Sequence, residues 1–116
     1  MNEELFKVRT RKVALEIIEL VESLPRSRTA DVIARQLLRS GTSVGANYRA
    51  ACRGKSKADV VSKLAIVEEE ADETIYWLEL LIESKIVESS RVELLLRECN
   101  EIVAMVVASI KTLRGR

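Results

Sequence analysis

Two groups of charged residues in this sequence could do chemistry. The first is a run of cations. Arg26, Arg28, Arg35, Arg39, Arg49, Arg53, Lys55 and Lys57 lie between residues 26 and 57 against Asp31 alone, a net charge of +7. Such a surface could hold phosphate. The second is the carboxylate run "EEEADE" at 68–73, inside a segment (58–102) whose twelve acids and four bases leave −8. Carboxylates at that density could ligate a cation. The plainer alternative for both is that two neighbouring helices attract each other through complementary faces.

The rest of the catalytic inventory is short. The chain has no histidine, which removes the commonest general base and zinc ligand and makes Ser–His and Cys–His pairs impossible. Glu69, Glu70 and Glu73 therefore lack the E-x-x-H partners of a ferritin-like di-metal site, and no metal or cofactor is expected. Cys52 and Cys99 show no C-x-x-C spacing and read as small buried hydrophobes in a reducing compartment. An enzyme built on Glu73 or Cys52 with Arg39 would have no base, no metal triad and no glycine phosphate loop after a strand. The chain reads as non-catalytic.

What positions these residues is helical. At 116 residues, with 47% hydrophobic and 3% aromatic residues, the chain suits one domain over 1–116 with an aliphatic core. No apolar run reaches the roughly 18 residues needed to span a bilayer, and "MNEELFKVRTRK" has no apolar signal core. A cytoplasmic protein without membrane contact is expected.

Phe6, Val13, Ile17, Leu20 or Val21, and Leu24 recur at helical spacing until Pro25 stops them, predicting a first helix over about 4–24. Ser27 or Thr29 can cap a second helix over about 29–53, with the stripe Ile33, Leu37, Gly41, Val44, Tyr48 and Ala51. The stripe keeps phase through "SGTS", which favours one continuous helix over two short ones. Gly54 suits the position after its end. Ser56 and Asp59 form a capping signature for a third helix over about 57–86, with Val60, Leu64, Val67, Ala71, Thr74, Leu78 and Leu81 on one face. Ser89 or Ser90 would cap the fourth, over about 90–114. Short connections predict an all-α, antiparallel up-down-up-down four-helix bundle.

The segment "RSGTSVGANYRAA" at 39–51 asks why a helix should carry such weak helix formers. Gly41 and Gly45 together cost about 2 kcal/mol relative to alanine. Four apart, they line one face with Ala34 and Cys52 as a small-residue groove. A second helix packed closely there would offset that cost; a ligand or nucleic acid laid in the groove is the alternative. Across a hairpin of the second and third helices, Arg39 should meet Glu70 or Glu73. Asn47 should fall near Lys63 and be hydrogen-bonded, so that both fix register.

The fourth helix carries 14 apolar residues among the 22 from Val92 to Leu113, where one core stripe needs roughly 3 in 7. "IVAMVVA" at 102–108 is apolar all round. Val61, Ala65, Ile75 and Ile82 form a second stripe on the third helix. Part of the fourth helix should therefore be covered by another copy of the chain, the alternative being a broad monomer core.

The runs "QLLRSGTSVGANYRAA" at 36–51, "SKADVVSKL" at 56–64 and "EADETIYWLELL" at 70–81, with "LVESLP" closing the first helix, resemble the small four helix bundle protein family. Its most specific stretches here are Arg39-Ser40 to Asn47, Glu73-Thr74 and Trp77-Leu78. The family includes proteins encoded by intervening sequences in bacterial 23S rRNA genes and the accessory variability protein of diversity-generating retroelements. The resemblance implies a ring-like homopentamer. For the retroelement members it also implies a basic surface that binds nucleic acid and a reverse transcriptase; a ribosomal partner would suit the other branch. This chain departs from the retroelement members in its pI of about 7.8 and in carrying Glu69 where a lysine is expected. The expected function is a homo-oligomeric scaffold that binds RNA or DNA weakly and without sequence preference. Arg26, Arg28, Arg49, Arg53, Lys55 and Lys57, at the ends of the second helix, would do so. The alternative is a protein-partner adaptor. Tyr48, Tyr76 and Trp77 could stack on bases or anchor the core.

Overall fold

The computed structural model describes residues 2–115 and consists of α1 (Glu3–Ser23), α2 (Arg28–Cys52), α3 (Lys57–Glu83) and α4 (Ser89–Leu113). Each helix packs on the next in sequence, and α4 returns beside α1. The result is the antiparallel up-down-up-down bundle that the stripes and short turns predict. It is 45 Å long and 20 Å across. One aliphatic core, from Phe6, Val13 and Ile17 through Leu37, Val44, Val67 and Leu78 to Ile102 and Val106, runs its length.

Local chemistry sets most boundaries. The side chains of Asn2, Ser27 and Ser56 accept hydrogen bonds from the N–H groups of Leu5, Ala30 and Asp59, satisfying donors that a helix start leaves free. Asp59 in turn accepts from the Lys55 N–H at 3.1 Å.

Two boundary expectations need correction, and a third holds for a different reason. The third helix ends at Glu83, not 86. Lys85 adopts a left-handed φ of 65°, its N–H bonds to the Ile82 carbonyl, and that of Ile86 bonds to the Leu81 carbonyl. This is a Schellman closure with lysine where glycine is usual, and it seats Val87 in the core. Neither Ser89 nor Ser90 caps α4. The turn delivers the chain into the helix at once, so Glu88 is the cap residue and makes no side-chain cap bond. Gly54 does follow the α2 cap residue Arg53, as expected, but without the left-handed φ. It is there for space: a Cβ would stand 2.4 Å from Val60 Cγ2.

Helix α2 is unbroken through "SGTS". Thr42 and Ser43 turn their hydroxyls back onto the carbonyls of Leu38 and Arg39 at 2.7 and 2.6 Å, which keeps them compatible with the helix. The small-residue groove is filled by α1. A Cβ at Gly41 would lie 2.3 Å from Ile17 Cδ1, and one at Gly45 would lie 3.1 Å from Thr10 Oγ1. Helix packing, not a ligand, occupies the groove.

The α1–α4 seam is held differently. These two helices approach each other least closely, and a polar clasp joins them. The Arg9 guanidinium donates to both Glu98 oxygens, at 2.8 and 2.7 Å, and to Glu101 at 2.9 Å. The bidentate bond holds the Glu98 carboxyl below the usual carboxylate range.

The greasy fourth helix is resolved in a way that periodicity did not foresee. Ile102 and Val106 face the core, and Val103, Met105 and Val107 lie half-buried on the flanks. Only Ala104 and Ala108 of that stretch are exposed. Large aliphatic side chains are uncovered on α1, at Leu5, Val8, Leu15 and Ile18, on α2 at Val32, and nearer the start of α4 at Leu94.

The Gly41 contact predicts a reversal of sign. Overpacking a core costs about 1–3 kcal/mol, more than the about 1 kcal/mol that alanine gains over glycine in a helix. Gly41→Ala should therefore lower the urea midpoint. In an Ile17→Val background, which removes Cδ1, the same change should be neutral or stabilising. An equal loss in both backgrounds would show that α1 does not seat on Gly41.

Candidate nucleic-acid interface

Helix α2 presents three different sides. Toward α1 it is glycine and alanine. Toward α3 it carries a polar seam. Ser40 and Thr74, both fully buried, hydrogen-bond each other through their hydroxyls at 2.9 Å, and Thr74 Oγ1 also bonds to the Glu70 carbonyl. Above this pair the Arg39 guanidinium bridges Glu70, at 3.2 Å, and Glu73. The Trp77 indole N–H donates to Glu73 Oε2 at 2.9 Å. The indole bond, and then Arg39, hold the Glu73 carboxyl below its ordinary range. The expected Arg39 contacts with Glu70 and Glu73 are both present.

Asn47 does not share that role. Its amide donates to the Ser43 carbonyl of its own helix at 2.9 Å, not across to Lys63. At that level Tyr48, Ala51 and Leu64 belong to the buried core. The Ser40–Thr74 pair does what Asn47 was expected to do.

The third side faces outward. Arg28, Arg35, Thr42 and Arg49 recur every seven residues, close to two helical turns. Arg39 and Arg53 flank them, and all six are exposed. The expected residues Arg26, Arg28, Arg49, Arg53, Lys55 and Lys57 are all exposed, but the structure divides them between the two ends of the bundle. Arg28 and Arg53 are about 38 Å apart along the axis at 1.5 Å per residue. Arg35 joins the two ends into one stripe. Its spacing from Arg28 and Arg49 was the available signal. Among the described residues, Arg39 is the only cation of this segment with a carboxylate in ion-pair range. Neighbouring-helix attraction thus accounts for Arg39 and leaves the other seven cations uncompensated.

Helix α1 adds three more. Lys7, Arg11 and Lys12 join Arg49 around a groove of about 720 Å³ floored by Ala14, Gly45 and Ala46. Lys7 is shared with Glu3 and Glu4 of its own helix.

The aromatic residues take other positions. Tyr48 is buried against Phe6 with ring centroids 4.5 Å apart. Trp77 is half-buried on Glu73. Tyr76 is exposed, but on the outer side of α3 among Glu69, Asp72, Glu79 and Glu83, the wrong sign for a polyanion. This surface can hold phosphates and offers no stacking platform.

Of the residues of the enzymatic alternative, Glu73 is brought to Arg39 in the bridge just described, but Cys52 is not. Cys52 lies 13 positions from Arg39 on α2, about 20 Å along the axis. It borders an end cavity of about 630 Å³ with Glu3, Tyr48 and Leu113. Burial pushes its thiol above the ordinary value, and that of Cys99 up to about 12, away from nucleophilic character. Among the described residues no cluster of acids and cysteines could hold a metal ion. Among the described residues no helix is long and apolar enough to cross a membrane.

The Trp77–Glu73 bond makes the chain's single tryptophan a reporter of the seam. Trp77 emission should titrate with a midpoint below the ordinary glutamate value of about 4.3, because both partners favour the carboxylate. The stability Glu73 contributes is complete above that ordinary value and lost as pH falls through the depressed one. Arg39→Ala should move the midpoint upward and Glu73→Gln should remove it. A midpoint unmoved by Arg39→Ala would contradict the bridge.

A family model for the 23S rRNA-intervening sequence protein matches residues 6–108. The crystal structure of a protein of unknown function from the S23 ribosomal protein family of Bacteroides thetaiotaomicron superposes with a TM-score of 0.88 at 37% sequence identity, covering 96% of this chain and 99% of that one. No curated protein matches the chain. Four helices, an unbroken glycine-bearing α2 and an Arg39–Glu73–Trp77 seam thus stand beside a match over most of the sequence: the chain belongs to the 23S rRNA-intervening sequence protein family.

Proposed function

We propose that the protein is a non-catalytic, homo-oligomeric helical scaffold, a ring of five, whose α2 side binds the phosphate backbone of RNA or DNA. The observation that carries the nucleic-acid reading is the uncompensated stripe Arg28, Arg35, Arg49 and Arg53. An isolated stripe on a near-neutral protein is a weak polyelectrolyte ligand. Repeated around a ring, it becomes several copies acting together, and avidity multiplies the affinity. The uncovered aliphatic side chains of α1 support self-association. The number five comes from the family resemblance. A reverse transcriptase or ribosomal partner would be recruited by the assembled nucleic-acid complex. Contacts from arginines to phosphate carry no sequence information, so binding of this kind is phosphate-led.

Fluorescence polarisation with generic RNA and duplex DNA across a salt series tests this. Binding should be tight at low salt, indifferent to sequence, and fall linearly in log K against log salt. Arg35→Ala or Arg49→Ala should weaken binding to all sequences alike and reduce the salt slope by about 1 each. No binding at low salt would leave the adaptor reading.

A further inference from the structure

The cation line on α2 has a gap. Arg28, Arg35 and Arg49 keep a seven-residue spacing, but Thr42 stands where the third member of that series belongs. At 1.5 Å per residue this leaves about 21 Å between Arg35 and Arg49. The Thr42 hydroxyl does not replace the missing charge, because it donates to the Leu38 carbonyl at 2.7 Å. Arg39 falls inside the interval but is committed to Glu70 and Glu73.

Helix α1 brings a cation to that gap. Gly45 meets Thr10 and Gly41 meets Ile17 across the α1–α2 contact, so Arg11, the residue after Thr10, stands level with the interval. Arg11, Thr42, Gly45, Ala46 and Arg49 line one groove. Arg11 is exposed, and among the described residues it has no carboxylate in ion-pair range. Its neighbours three and four positions away are Lys7, Val8, Ala14 and Leu15, so its own helix offers it no carboxylate partner. The two lysines at the groove differ from it. Lys7 is shared with Glu3 and Glu4, the latter being the one acid on the groove. Lys12 lies in the field of Glu98 across the α1–α4 seam.

We propose that Arg11 supplies the missing charge, so that a nucleic-acid strand passing along α2 turns its sugar–phosphate backbone into the α1–α2 groove between Arg11 and Arg49. This rests on the phosphate-binding reading above and adds that the site spans two helices. The floor suits such a ligand. Gly45 and Ala46 present almost no side chain, which leaves room for a phosphate between the two guanidinium groups, and arginine–phosphate bonds are charge-assisted and strong. Val8 and Leu15 wall the same groove with aliphatic carbon, against which a sugar can pack. The competing path runs straight along α2. It crosses Thr42 with no free cation to meet a phosphate and leaves Arg11 unused.

Fluorescence polarisation with a labelled single-stranded RNA of mixed sequence, repeated across salt, tests this on variants whose urea midpoints match the unsubstituted chain. Arg11→Ala should weaken binding as much as Arg35→Ala does and lower the salt slope by about 1. Lys111→Ala removes an exposed cation of α4 and should change neither. Ala46→Leu keeps every charge and places a good helix former at an exposed position; by filling the floor it should weaken binding although no cation is lost. If Arg11→Ala matches Lys111→Ala while Arg35→Ala still weakens binding, or if Ala46→Leu binds as the unsubstituted chain does, the groove is overturned and the α2 stripe stands. RNA binding indifferent to both Arg11→Ala and Arg35→Ala, or no binding at low salt, would overturn both.

Discussion

The bundle depends on one helix being approached closely on two sides at once. Helix α2 carries glycines where α1 seats Ile17 and Thr10. One residue round the helix it carries Ser40, whose hydroxyl meets Thr74 of α3 inside the core. Neither side tolerates displacement. On the glycine side a methyl group at Gly41 would have to displace Ile17 Cδ1 and one at Gly45 would press on Thr10, and separating the hydroxyl pair would leave a polar group buried without its partner, at about 1–3 kcal/mol. With both neighbours fixed, the remaining side of α2 is the one that must face solvent, and there the arginines collect. The weak helix propensity of this segment is the consequence of meeting two close neighbours, offset by the contacts it permits.

Much of this was legible from residue types and spacing. The phase of Ile33, Leu37, Gly41, Val44, Tyr48 and Ala51 requires a continuous helix, and a hairpin alignment brings Arg39 to Glu70 and Glu73. What periodicity hides is which of two polar residues on the same side of the helix, two turns apart, points inward. Ser40 and Asn47 both flank the stripe, and the longer amide suggested itself as the register device. A buried site between two close backbones has room for a hydroxyl, and Asn47 folds back on its own helix instead. The lysine in the left-handed turn at Lys85 was hidden for a related reason. The Schellman bonds and the burial of Val87 decide that conformation, and neither is a local preference of lysine.

The distribution of apolar surface carries the same lesson on a larger scale. Composition points to α4 as the helix needing cover, because hydrophobic residues are densest there. Exposure depends on which of them face outward, and in "IVAMVVA" the outward ones are alanines. On α1 the count is lower, but Leu5, Val8, Leu15 and Ile18 share the solvent side. The chain thus presents two solvent-facing surfaces with distinct chemistry, an arginine stripe on α2 and an aliphatic face on α1.

Native-state hydrogen exchange along α2 tests the central constraint most directly. If two neighbours clamp this helix, the amides from Ser40 to Tyr48 should exchange only through global unfolding, with the same free energy as those of α3 from Thr74 to Leu81. Amides around Gly41 and Gly45 that exchange through a lower-energy local opening, while α3 stays protected, would contradict the account.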